Sequence, residues 1–287
     1  MRSRDYKVAA QQIKTLISRA RDGMAPMGFN VVLPSPEIIE IAMLFPFEWL
    51  SLDLEHTLIQ GSRNVASLLR AAEPAGVPMF VKPNSSDPLL IRDAMDAGAH
   101  GVLLPFTGSA QELRDLEQAC KFAPEGNRGF CPVARSMNYA TEFYRDGRKE
   151  SDYPKFVNED MLFIPLIESL DGVENIDEIL EVPGFDVFHV GMGDLIFAVA
   201  EEGQNFDYML RLASSLCKKI HDAGKLLIGN VDLRDPLGDT AEFAAAYHCH
   251  MPYVTDSALL AYACKQSMQV QKDLQPKLKE LFSAMKP

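Results

Sequence analysis

Residues 161–195 read MLFIPLIESLDGVENIDEILEVPGFDVFHVGMGDL. The run over 161–167 is apolar throughout and bounded by polar residues, which suits a strand buried on both faces. It delivers Glu168 at its C-terminal end. Val173, Ile176, Ile179 and Leu180 recur at helical spacing over 171–180, and Pro183-Gly184 ends that pattern. A second apolar strand over 185–190 runs into Gly191-Met192-Gly193 and Asp194, which read as a loop. Two strands joined by a helix lie parallel, so their C-terminal ends emerge on one side. Glu168 and Asp194 therefore share a rim, one strand apart. Two carboxylates at such a rim either bind a hard divalent cation or stand as solvated loop acids.

The same alternation extends outward. Upstream, helical spacing predicts helices over 6–22, 36–44, 63–72, 88–97 and 109–121, and short apolar runs predict strands over 29–33, 49–54, 78–81 and 101–104. Downstream, helices are expected over 206–223, 236–247 and from 256 onward, with strands over 225–228 and 249–254. Eight strands alternating with helices at about 20–30 residues per unit favour an α/β (β/α)8 TIM barrel over a doubly wound sheet. The chain is read as one domain over 1–287, with 1–25 as an N-terminal helical extension and a long C-terminal helix. The 122–160 connection, rich in Gly, Arg, Asn and Tyr, reads as a long loop near the barrel mouth or against a neighbouring subunit. No G-x-G-x-x-G or P-loop motif follows an early strand, which weakens a nucleotide-binding reading.

Composition narrows the class further. The 287 residues are 47% hydrophobic and 24% charged, as in soluble globular proteins. A formal charge of −12 argues against a nucleic-acid partner. No apolar run reaches a membrane-spanning length, and the basic N-terminal stretch lacks the apolar core of a signal peptide. The five cysteines, Cys120, Cys131, Cys217, Cys249 and Cys264, form no C-x-x-C pair and read as reduced thiols of a cytoplasmic protein.

In a (β/α)8 barrel the chemistry lies at the C-terminal ends of the strands. There the second strand gives Asp53, Glu55 and His56, the third gives Lys82 and Asn84, the fifth Glu168, and the loop after the sixth Asp194. His56 is either a structural histidine or, beside two acids at a strand end, a proton carrier near neutral pH. His100, His189, His221, His248 and His250 have no comparable context and read as structural. Lys82 is open to three readings: a solvated lysine, a group holding an anionic oxygen, or a Schiff-base amine. A neighbouring metal-carboxylate pair favours the second.

The blocks WLSLDLEH, KPNSSDPLLIRDAMDAGAHGVLLP, FAPEGNRGF and LIES…FHVGMGDL resemble the metal-dependent class II aldolases of the HpcH/HpaI aldolase family, over about Gly28 to Ala263. The resemblance implies that Glu168 and Asp194 bind Mg²⁺ or Mn²⁺. It implies that His56 is the acid/base group, with Asp96 raising its basicity, and that the main chain around Gly193 and Asp194 receives the carboxylate of a 2-oxo acid. It also implies a homo-oligomer, a hexamer or trimer, in which the last helix packs on another subunit. Two positions depart from the family pattern. Its usual arginine is Lys82 here, a point charge in place of a planar two-pronged donor. Its usual glutamine two residues before the metal glutamate is Leu166, so one polar substrate contact is missing.

The expectation is a metal-dependent carbon–carbon lyase or carboligase acting through the enolate of pyruvate or a related 2-oxo acid, with an aldehyde as the second substrate. Condensation with a thioester and decarboxylation of an oxaloacetate-like acid share that enolate. A barrel that binds a ligand without turnover is the reading from another class.

Overall fold

The computed structural model describes residues 5–55, 57–58, 61–141, 152–231 and 245–284. Eight parallel strands close into a barrel in sequence order: β1 (Gly28–Val31), β2 (Trp49–Asp53), β3 (Met79–Lys82), β4 (Gly101–Leu104), β5 (Leu162–Ile167), β6 (Val187–Val190), β7 (Leu226–Asn230) and β8 (Met251–Thr255). Pairing of β1 with β8 closes the ring. The expected (β/α)8 barrel is therefore the fold. The helices in chain order are α1 (Tyr6–Arg21), α2 (Pro36–Ala42), α3 (Gly61–Ala72), α4 (Pro88–Asp96), α5 (Ala110–Cys120), α6 (Asp152–Glu159), α7 (Leu170–Glu174), α8 (Ile176–Leu180), α9 (Met192–Glu201), α10 (Phe206–Asp222) and α11 (Asp256–Ala284).

Local sequence explains the helix starts. Ser35 and Asp87 cap α2 and α4 just before a proline at the first helical position, where a missing N–H costs nothing. Ser109 and Glu112 form a reciprocal capping box on α5. Inside the barrel, Trp49, Phe80, Leu103, Ile164, Val187, Ile228 and Met251 form a packed core. Gly28 is required beneath Trp49, because a Cβ there would lie 2.1 Å from the indole. Helix α1 closes the N-terminal face of the barrel, with Leu16 and Ala20 against this interior core.

Three expectations are corrected. The 122–160 connection is not one loop at the mouth. Its described part holds a 3₁₀ turn, Arg135–Ala140, and helix α6, and it packs at the opposite end of the barrel. Arg135 donates to the Ala97 carbonyl and pairs with Glu73 at 2.7 Å, both at the C-terminal ends of α4 and α3. The Tyr6 hydroxyl donates to the Ser136 carbonyl at 2.5 Å. Buried guanidinium groups need such partners, and helix C-termini offer free carbonyls. The 171–180 helix is two short ones, α7 and α8, broken at Asn175. Residues after Gly191 continue as α9 rather than as a loop. The expected 236–247 helix falls largely outside the described residues.

Among the described residues, helix α11 is anchored to the barrel at its start, where Asp256 accepts backbone N–H groups of Val32 and Leu33. Farther along, Leu260, Met268, Leu278, Leu281 and Phe282 are exposed. No helix among the described residues is long and apolar enough to cross a membrane.

Candidate active site

The strand ends build the mouth of the barrel in pairs. Asp53 ends β2 and is in register with Lys82, which ends β3. The chain then turns. The Glu55 N–H donates to Asp53 Oδ1 at 2.9 Å, and the Thr57 hydroxyl donates to the Asp53 carbonyl at 2.7 Å. This turn sets the Glu55 carboxylate against the Lys82 ammonium in an ion pair whose side chains are 6% and 13% exposed. Burial alone would pull Lys82 down, but the hydrogen bond to Glu55 and the charges of Glu168 and Asp53 outweigh it, and the ammonium is held above its usual range.

Glu168 follows β5 directly and is 2% exposed. Its Oε1 accepts the Phe106 N–H at 2.9 Å from the β4 end. Burial raises its carboxyl to about 7, opposed by Lys82 and the Phe106 N–H and reinforced by the charges of Glu55 and Asp194. Gly191, just past the end of β6 and beside it, leaves the room Glu168 occupies. A Cβ there would meet the Glu168 side chain, with Oε2 at 2.4 Å. Asp194 stands in the first turn of α9, where a helix N-terminus favours negative charge.

Lys82, Leu166, Glu168, Gly193 and Asp194 line one cavity of about 810 Å³ that opens at the mouth. Asp96 is not among them. It sits at the C-terminal end of α4, at the opposite end of the barrel from Glu55, and accepts from Arg128 Nη2 at 2.5 Å. Arg128 lies against the Phe122 ring at 4.7 Å and bonds the Tyr153 hydroxyl at 3.3 Å. A helix after a strand runs back toward the strand's start, which carries Asp96 away from the mouth within one chain. His56 lies outside the described residues.

Four groups that the sequence reading passed over also line the cavity: Asn30, Ser51, His189 and Tyr253. The Ser51 hydroxyl donates to Asn30 Oδ1 at 2.6 Å. His189, read from sequence as structural, points into the barrel. His221, His248 and His250 instead gather at the other end, where His250 Nδ1 accepts the Leu227 N–H at 3.0 Å.

The two carboxylates form an all-oxygen donor pair, which suits a hard cation. A buried Glu168 whose charged form is disfavoured would gain most from such an ion. Among the described residues no group of three or more His, Cys, Asp or Glu side chains is placed to hold a metal ion. The residues present fit Mg²⁺ or Mn²⁺.

A family model described as HpcH/HpaI aldolase/citrate lyase matches residues 27–229. The chain belongs to the HpcH/HpaI aldolase/citrate lyase family. Among relatives, the 2-dehydro-3,6-dideoxy-6-sulfogluconate aldolase of Pseudomonas putida is 32% identical over 171 residues, 60% of this chain and 64% of that protein. The hydroxypyruvate/pyruvate aldolase of Pseudomonas aeruginosa is 30% identical over 185 residues, 64% of this chain and 66% of that protein. The match thus spans just under two thirds of each. A solved HpcH/HpaI aldolase/citrate lyase family protein from Burkholderia cenocepacia J2315 is 25% identical, with a TM-score of 0.77, covering 90% of this chain and 99% of its own.

Proposed function

We propose that this HpcH/HpaI-family chain is a divalent-metal-dependent carbon–carbon lyase of the aldolase type, acting on a 2-oxo acid through its enolate. One observation carries the reading: the buried Glu168, Asp194 and Lys82, the last ion-paired to Glu55, line one cavity at the C-terminal end of the barrel strands. Family membership and the names of the relatives support it. When bound, Mg²⁺ or Mn²⁺ would be held by Glu168 and Asp194 and would supply Lewis-acid stabilisation of the enolate oxygen.

The chain's own residues account for the rest. Lys82, aimed by Glu55, stabilises negative charge on the keto oxygen as C3 loses its proton or its bond to the aldehyde carbon. His56, next in sequence to Glu55, moves the proton of the aldehyde-derived hydroxyl. Backbone N–H groups around Gly193 and Asp194, at the start of α9, receive the carboxylate of the 2-oxo acid. Leu166 leaves the wall below Glu168 apolar. The exposed apolar side chains of α11 support a homo-oligomer in which that helix packs on a second copy.

Chelation with EDTA should abolish release of pyruvate from a 4-hydroxy-2-oxo acid, and Mn²⁺ should restore it. Full activity after exhaustive metal removal, or a borohydride-trapped adduct on Lys82, would replace this reading with a Schiff-base mechanism.

A further inference from the structure

The register of the strands sets a layer of side chains just under the carboxylates. Pairing runs from Asn30 through Ser51, Phe80 and Gly101 to Leu162. A (β/α)8 barrel climbs one residue per strand against that path. The residue level with Asn30 is therefore Lys82, two past Phe80, and Leu166, four past Leu162. The same climb from Leu166 through His189 and Ile228 adds Asn230. Asn30, Lys82, Leu166 and Asn230 come from alternate strands, as barrel layers do, and all line the cavity. Because β1 and β5 stand opposite each other in the ring, Asn30 faces Leu166 across it.

Within this layer Asn30 is held in place and still has donors to offer. Lys82 is committed to Glu55, Leu166 carries no polar side-chain atom, and Asn230 is exposed at the end of its strand. Asn30 Oδ1 accepts the hydroxyl of the buried Ser51 at 2.6 Å, which fixes the amide. Its Nδ2 makes no hydrogen bond among the described residues. Asn30 is only half-buried and Nδ2 is not sealed off by protein, so its N–H groups open on the cavity that the residue lines. Side-chain amides offer two donors at that end.

Glu168 lies two residues above Leu166, about 6–7 Å along the strand. A 2-oxo acid with its carboxylate at Gly193 and Asp194 and its keto oxygen at Lys82 points C3 toward the remaining side, β8 and β1. The carbons brought by the aldehyde then lie over Asn30. An amide gives hydrogen bonds without charge. Among the described residues lining the cavity Lys82 is the only lysine or arginine, and it is paired with Glu55. A carboxylate or phosphate over Asn30 would be desolvated without a counter-charge, whereas a hydroxyl is satisfied there. We propose that Asn30, set by Ser51, is the acceptor-recognition residue of the cavity. Its Nδ2 donates to a hydroxyl on the carbon next to the aldehyde, so the site selects uncharged 2-hydroxy aldehydes over their deoxy analogues. The inference rests on the enolate reading above and adds the class of the second substrate.

The test condenses pyruvate with 2-hydroxypropanal or with propanal on the Mn²⁺-loaded full chain and takes the ratio of the two kcat/KM values. The wild type should favour the hydroxylated aldehyde. Asn30→Leu should lower the ratio about tenfold, the size of one net hydrogen bond. Ser51→Ala, which frees the amide without removing it, should lower it by a smaller factor. A wild type indifferent to the hydroxyl overturns the proposal. So does an unchanged ratio in whichever variant folds, and so do equal losses with both aldehydes, which would assign Asn30 to packing. If wild-type protein exchanges pyruvate C3 protons with deuterated water but condenses neither aldehyde, the proposal fails and the enolate reading stands. If no exchange occurs, the enolate reading fails and the proposal falls with it.

Discussion

Replacing Glu168 with glutamine should stabilise the metal-free protein while destroying its response to metal. Burial raises the Glu168 carboxyl from 4.5 to about 7, which corresponds to about 3 kcal/mol at 1.36 kcal/mol per tenfold change in acidity. A carboxyl raised in this way binds more protons folded than unfolded between pH 4.5 and 7. Its destabilising effect therefore grows as pH rises through that window and is complete above pH 7. Glutamine is nearly isosteric, carries no charge and keeps an acceptor for the Phe106 N–H, which now donates to Glu168 Oε1 at 2.9 Å. In EDTA at pH 8, Glu168→Gln should melt higher than wild type, by on the order of 5 °C for a gain of ~2–3 kcal/mol. At pH 5 the difference should shrink to about 2 °C or less. Added Mn²⁺ should raise the wild-type transition in proportion to its affinity and leave the variant unmoved. Scanning calorimetry at matched rates reads all of this. A variant less stable than wild type at pH 8 without metal, or one that still responds to Mn²⁺, would refute the view of Glu168 as a strained buried carboxylate reserved for a cation.

Other perturbations address the groups around it. Gly191→Ala would push the Glu168 side chain, whose Oε2 lies 2.4 Å from the added Cβ; Mn²⁺ affinity by titration should fall about 10–100-fold, as for a lost supporting contact. Lys82→Ala should lower kcat by about 10²–10³-fold if the ammonium stabilises the oxyanion. Lys82→Arg should keep part of the activity through its charge, although Glu55 sits too close for the larger group to be accommodated without rearrangement; equal activity in all three forms would remove Lys82 from the catalytic set. His56→Ala should slow turnover by about 10²–10⁴-fold while leaving Mn²⁺ affinity intact, as measured by steady-state rates beside metal titration.

Much of this architecture is legible in the sequence because parallel strands covered by helices are apolar on both faces. The 161–167 run, the helical spacing after it and the repeated unit length led to the barrel. Strand ends then located Lys82, Glu168 and Asp194, since a polar residue closing an apolar run must emerge at the rim. The same property hid His189. In a strand apolar on both faces, alternation does not say which residues look inward; that follows only from the pairing of His189 with Leu166, which shares the inward face of Glu168. Helix α9 was masked by its Gly191-Met192-Gly193 start, although Leu195 and Val199 are buried at helical spacing. Asp96 closes α4, and the end of a helix that follows a strand lies at the far end of the barrel from that strand's exit. The burial of Arg128 and Arg135 in the 122–160 connection depends on distant helix ends and aromatic rings, which no local pattern announces.

The central claim is that Glu168, Asp194 and Lys82 together promote formation of a 2-oxo acid enolate. Its most direct test is exchange of the pyruvate C3 protons in deuterated water, followed by proton NMR with no aldehyde present. The account predicts exchange with Mn²⁺ that is lost in EDTA and in Glu168→Gln and is strongly reduced in Lys82→Ala. Exchange that persists without metal, or its absence from a Mn²⁺-loaded protein shown to bind pyruvate, would contradict it.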